Sequence, residues 1–194
     1  MKMRCIYFIL GLLFCGTAHA QITFEKIDTT MKMGKSGFRV NCRNNNVTTN
    51  QLSIRPIGFE SPASETINIP MRGRIASLDV DDLNRDGQAD LVLFLYTDSA
   101  ATHGTAFALI SDGKTTLNPC ALNDPTFDGK INSGYRGHDQ YTLLEGTVLL
   151  RFPLYKQADK DDQPTGGRRV VQYNFTKDEN GRYKFNILRT YDTH

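Results

Sequence analysis

The chain has 194 residues, 39% of them hydrophobic, enough for one domain with a real core and too few for two. Its 23 basic and 21 acidic side chains nearly balance, so there is no sign of the basic excess that marks a nucleic-acid or polyanion binder. Trp is absent, and any recognition surface must draw its aromatic contacts from 8 Tyr and 11 Phe.

The first twenty residues depart from this average. Lys2 and Arg4 precede an apolar run, Cys5 to Cys15, and Ala18-His19-Ala20 forms a small-x-small cleavage signal before Gln21. The run is about half the roughly 20 residues that a membrane span needs. Phe14 is too bulky for a lipoprotein reading of Cys15. The expectation is a cleaved signal over residues 1–20, a single domain over 21–194, a periplasmic location and no membrane attachment after cleavage. Cleavage removes Lys2 and Arg4 and leaves 21 basic against 21 acidic side chains. It also leaves two of the four cysteines, Cys42 and Cys120. In an oxidising compartment such a pair reads as a disulfide, closing a loop of roughly 80 residues and contributing about 4 to 5 kcal/mol. A reactive thiol pair is the weaker reading, because CxxC spacing is missing.

Taken in chain order, short alternating or β-branched runs recur, and few segments carry a helical period. Ile22–Ile27, Gly37–Cys42 and Ile67–Ile69 are early strand candidates, with 43–50 (RNNNVTTN) a loop. Ile75–Val80 and Asp90–Tyr96 flank a polar loop, and Thr105–Ile110 follows. Residues 111–139 read mostly as loop. Tyr141–Glu145 and Thr147–Phe152 meet at Glu145-Gly146; Arg169–Phe175 and Tyr183–Tyr191 meet at Glu179-Asn180-Gly181, both hairpin signals. The predicted fold is all-β, an antiparallel β-sandwich or flattened barrel with a calcium-binding loop between two strands. The hairpin at Gly146 would send residues 139 and 153 to the opposite sheet end. Loops 132–139 and 153–167 should therefore sit side by side on one rim, with 191–194 reaching the same place.

Two constellations carry chemistry. Asp82, Asn84, Asp86 and Asp90 stand at positions 1, 3, 5 and 9 of an EF-hand-type loop, with Gly87 at position 6 and the Gln88 carbonyl at position 7. Side-chain oxygens at every second residue suit a hard cation, so structural calcium is expected; an Asp/Asn/Gly turn without metal is the competing reading. Position 12 is Leu93 instead of Glu, which makes this a calcium loop in a β setting. The second is Ser133-Gly134-Tyr135-Arg136-Gly137-His138-Asp139. Its glycines would present Tyr and Arg at a loop tip, one a large amphipathic contact and the other a carboxylate fork. Three residues within seven positions cannot easily form a Ser/His/Asp line, and no nucleophile elbow is present, so no enzymatic activity is expected. Tyr155, Thr165, Gly166, Gly167 and Arg168 belong to the adjoining rim. Arg168 and Arg169 lie on opposite faces of a strand, so at most one faces a partner.

In order, DLNRDGQADL, GYRGHDQY, LLRFPLYK and PTGGRRVVQY resemble the PliI-like family over roughly residues 75–175. That family comprises periplasmic inhibitors of invertebrate-type lysozyme and related immunity proteins against peptidoglycan hydrolases. The resemblance implies a β-sandwich that inserts a loop into a glycan-hydrolase cleft, and members that can form homodimers. The family's inhibitory loop carries Ser-Gly-x-Tyr; here Ser133-Gly134 runs directly into Tyr135. Such a cleft presents two carboxylates, for which Tyr135 with Arg136 or Ser133 would be donors. Asp98–Gly104 is a competing place for the inserted loop. The implied partner is a secreted or host lysozyme-like hydrolase. A calcium-stabilised FG-GAP-like adhesion or binding module of the cell envelope is the alternative, although only one such loop is present.

Overall fold

A computed structural model describes residues 24–194; the expected signal, residues 1–20, lies outside them. Among the described residues, twelve strands form three four-stranded antiparallel sheets, each a simple meander of neighbours. The first sheet contains β1 (Ile27–Met33), β2 (Ser36–Cys42), β3 (Asn50–Ile57) and β4 (Ile67–Met71). The second contains β5 (Arg74–Asp81), β6 (Asp90–Tyr96), β7 (Gly104–Asp112) and β8 (Thr116–Ala121). The third contains β9 (Gln140–Leu144), β10 (Thr147–Pro153), β11 (Arg168–Lys177) and β12 (Tyr183–Thr193). Among the described residues no helix is long and apolar enough to cross a membrane.

The second sheet lies between the other two. Every residue of β6 is buried, so DLVLFLY has no solvent face, as an uninterrupted apolar run requires. Leu91, Leu93 and Leu95 pack with Phe38, Val40, Leu52 and Ile54 of the first sheet. Val92 and Phe94 face the third, with Val148, Leu150, Phe152 and Val171. The all-β antiparallel architecture is thus a sandwich of three layers with two cores. The first sheet is also stitched on by polar groups. Asn44 is 1% exposed; its amide nitrogen donates to the Glu25 and Ile75 carbonyls and its oxygen accepts the Ile75 N–H. The 43–50 loop therefore contains a buried staple.

The two cysteines do not form the expected disulfide. Both are buried free thiols. Cys42 belongs to the core between the first and second sheets, and Cys120 to the core between the second and third. The fully packed second sheet separates them, and a disulfide needs Cα atoms within about 7 Å.

Other differences are local. Phe24–Lys26 are irregular and the first strand begins at Ile27, displacing the strand expected at Ile22–Ile27. Strand β8 arises inside the region read as loop; it contains Pro119, which an edge strand tolerates. Strand β3 contains Pro56 beyond the last β3–β4 pair, Ile54 with Ile67, so the missing donor breaks no bond on that side. The Glu145-Gly146 hairpin forms as expected, with φ of 48° and 72°, the left-handed pair of a two-residue turn.

Candidate functional site

Tight pairing of β9 with β10, Gln140 opposite Arg151, sends residues 132–139 and 153–167 to one end of the third sheet. The last pair of β11 and β12, Arg168 with Thr193, brings the chain end there too. The Asp98–Gly104 loop reaches the same end, where the Asp139 N–H donates to the Thr102 carbonyl at 3.1 Å. The two loops are bonded to each other. The Tyr155 N–H donates to the Gly134 carbonyl at 2.8 Å, and Arg136 donates to the carbonyls of Asp159 and Lys156 and to the Asp161 carboxylate. The Arg136 guanidinium also lies 4.9 Å from the centre of the Tyr155 ring.

Tyr135 is not presented at a loop tip. Its ring meets Phe152 edge-on at 4.8 Å, and its hydroxyl donates to Asp139 at 2.9 Å. The glycines act differently from the sequence expectation: Gly134 and Gly137, with φ of 76° and 85°, turn the chain so that Tyr135 points inward. A side chain at Gly137 would stand 2.9 Å from the Thr102 carbonyl oxygen. Ser133, Arg136 and His138 are the exposed side chains of this loop.

Asp139 is the anchor beneath them. It is 2% exposed; one carboxylate oxygen accepts the Gly104 N–H and the Tyr135 hydroxyl, and the other has no partner. Tyr96 donates to the Asp139 carbonyl. Burial pushes the Asp139 carboxyl up to about 6 despite these bonds, and burial beside Asp139 raises the Tyr135 hydroxyl further still. Ser133, His138 and Asp139 make no hydrogen bond to one another among the described residues, so no nucleophile–base–orienter line is assembled.

The adjoining rim is closed by its own bonds. The Asp159 carboxylate accepts the Lys156 and Thr165 N–H groups and the Thr165 hydroxyl. Gly166 allows close passage, since a Cβ there would meet the Leu154 carbonyl oxygen at 2.6 Å. Tyr155 is buried and its hydroxyl donates to the Asp161 carbonyl at 2.8 Å. Gly167 (φ 84°) accepts the Leu154 N–H, and Arg168 is exposed. The residue missed by the sequence reading is Arg169. It grips Asp192 with two nitrogens at 2.7 and 2.9 Å, and donates to the Ile131 and Ser133 carbonyls at 3.0 and 3.2 Å. One guanidinium thus ties the candidate loop to the last strand. Strand parity was the available signal, since Arg169 shares a face with Val171 and Tyr173, which are buried.

Asp82–Asp90 lies at the opposite end of the sandwich, with the Asp82 carbonyl oxygen beside the Gly146 turn. Asp82 accepts the Asp86 and Gly87 N–H groups, Asn84 accepts that of Asp86, and Asp86 that of Gln88. Asp90 is fully buried; its oxygens take the Leu83 N–H and the Ser111 N–H and hydroxyl, and burial pushes its carboxyl up to about 6. It ties the loop to β7 at the edge of the core. Among the described residues, no three acidic, His or Cys side chains gather where one ion could be held. Lone pairs remain on Asp82 and Asn84, whose side-chain oxygens each accept a single hydrogen bond.

Compared with known proteins, the chain matches no family model, no curated protein and no solved structure.

Proposed function

We propose that this is a periplasmic inhibitor or immunity protein, without enzymatic activity, that blocks the cleft of a lysozyme-like peptidoglycan hydrolase. The observation that carries the reading is the cross-braced rim. Arg169 and Arg136 lock loops 132–139 and 153–167 to each other and to the last strand, while Ser133, Arg136 and His138 stay exposed above them. A plug must be rigid before it binds, because ordering a loop on contact costs affinity. The resemblance to the PliI-like family points to the same segment. Tyr135 then serves as a positioning residue. With Arg136 committed to the brace, the side-chain donors left for a target's carboxylates are Ser133 and His138.

Lysis of peptidoglycan by lysozymes of different classes tests this. The protein should slow at least one of them, and replacing Ser133 and His138 together by Ala should weaken inhibition by about 2 kcal/mol or more while leaving the melting temperature unchanged. Inhibition of no class, or equal potency of the folded double variant, overturns the reading.

The FG-GAP-like alternative finds four-stranded meanders here, but they stack face to face and do not repeat a calcium loop. A structural calcium ion remains part of the proposal, held by Asp82, Asn84, Asp86 and the Gln88 carbonyl, with Asp90 bracing the loop from behind. Calcium added to chelator-treated protein should raise its melting temperature, and Asp82→Ala should abolish the rise. No rise in the wild type removes the ion from the account.

A further inference from the structure

Beside the braced loops, the outer face of the third sheet ends in a recess of about 860 Å³. Arg151 stands opposite Val170, and Pro153 opposite Arg168, so the two arginines are diagonal neighbours on one face, with Cα atoms roughly 7–8 Å apart. Both line the recess, together with His138 and His194. Neither arginine has a carboxylate within ion-pair distance among the described residues. Arg151 spends one nitrogen on the Thr142 hydroxyl at 3.0 Å. The strands supply no acid to this face: Asp192 pairs with Arg169 on the other side. Asp161 and Asp162 line the recess from the 153–167 loop; Asp161 is occupied by Arg136 at 3.1 Å, and Asp162 adds an opposing charge.

We infer that this recess is a binding site for an acidic sugar, its carboxylate or phosphate received by Arg151 and Arg168. Two guanidiniums without carboxylate partners in a concavity are the donor set that planar oxyanions take, each able to offer a pair of parallel N–H groups. The recess is far larger than a bare anion and falls in the range that small-molecule sites occupy. Its remaining walls suit a hydroxylated ring: Gln140 and Thr193 carry hydrogen-bonding side chains and Pro153 a flat apolar one. The site needs no partner protein, so it can hold or fail independently of the inhibitor reading.

Titration of the full-length mature protein with N-acetylmuramic acid, glucose 6-phosphate and N-acetylglucosamine, followed by calorimetry, tests the inference. One of the two acidic sugars should bind saturably, and which one does distinguishes carboxylate from phosphate. Neutral N-acetylglucosamine should bind at least tenfold more weakly. Arg151→Gln and Arg168→Gln should each weaken binding on the order of tenfold to a hundredfold. Asp162→Asn should tighten it, a gain that no unfolding artefact can mimic. Saturable binding of neither acidic sugar, equal binding of the neutral one, or unchanged affinity in both folded arginine variants would overturn the assignment.

Discussion

Replacing Asp139 by Asn should make stability less dependent on pH, the variant gaining on the wild type as pH rises from 4 to 7. The carboxyl is 2% exposed, one of its oxygens is unpartnered, and burial lifts it from an ordinary 3.8 to about 6. Because the folded-state value lies above the unfolded one, the folded protein holds this proton more tightly. The stabilisation is complete below about pH 4 and is lost as pH rises through 6. The difference between 3.8 and about 6 corresponds to about 3 kcal/mol. Asn carries no charge at either end of that window. Its oxygen can take the place of the one that accepts from Gly104 and Tyr135, and its nitrogen the place of the unpartnered one. The stability of the variant relative to wild type should therefore rise by about 3 kcal/mol between pH 4 and pH 7, or roughly 6 to 12 °C in melting temperature for a chain of this size. Circular-dichroism melts of both proteins at matched pH values measure it. Asp90, raised in the same way, is common to both and cancels in the difference. A constant offset from pH 4 to pH 7 would refute the reasoning.

Two further outcomes follow from packing. The protein beginning at Gln21 and purified without reductant should show two free thiols when denatured. In the native state reaction should be slow at pH 8, since burial raises Cys42 and pushes Cys120 up to about 11, which leaves about one thiolate in a thousand at Cys120. A mass two hydrogens short would show that a disulfide forms after all. Gly137→Ala should cost about 1 to 3 kcal/mol in urea unfolding, because φ is +85° and the added carbon meets the Thr102 carbonyl oxygen at 2.9 Å. Gly129→Ala, which meets nothing within 4 Å, is the control and should stay within about 0.5 kcal/mol.

Much of the candidate site is legible before folding. Gln140 opposite Arg151 follows from a two-residue turn at Glu145-Gly146, and the turn follows from residues that accept left-handed backbone. Once that hairpin is drawn, loops 132–139 and 153–167 must share an end, and they do. The inward turn of Tyr135 is not legible in this way. Glycines on both sides permit either direction, and the choice depends on Phe152 and Asp139, which offer a ring edge and a buried acceptor only after three segments have met.

Strand positions and hairpin turns belong to the sequence itself, because alternation and turn chemistry act over a few residues. DLVLFLY is already a strand with no polar side, yet the number of layers that cover it is a matter of tertiary packing. The cysteines show the same division. An even count and the expectation of a secretory leader make a disulfide the natural reading, but pairing requires a shared core, and Cys42 and Cys120 lie on opposite sides of the second sheet. The charge balance also changes meaning. Nearly equal numbers of acidic and basic side chains, 21 against 23, describe a near-neutral average. Only the folded sheet brings Arg151 and Arg168 together at one recess, because which charges become neighbours is decided by strand parity and register across the whole chain.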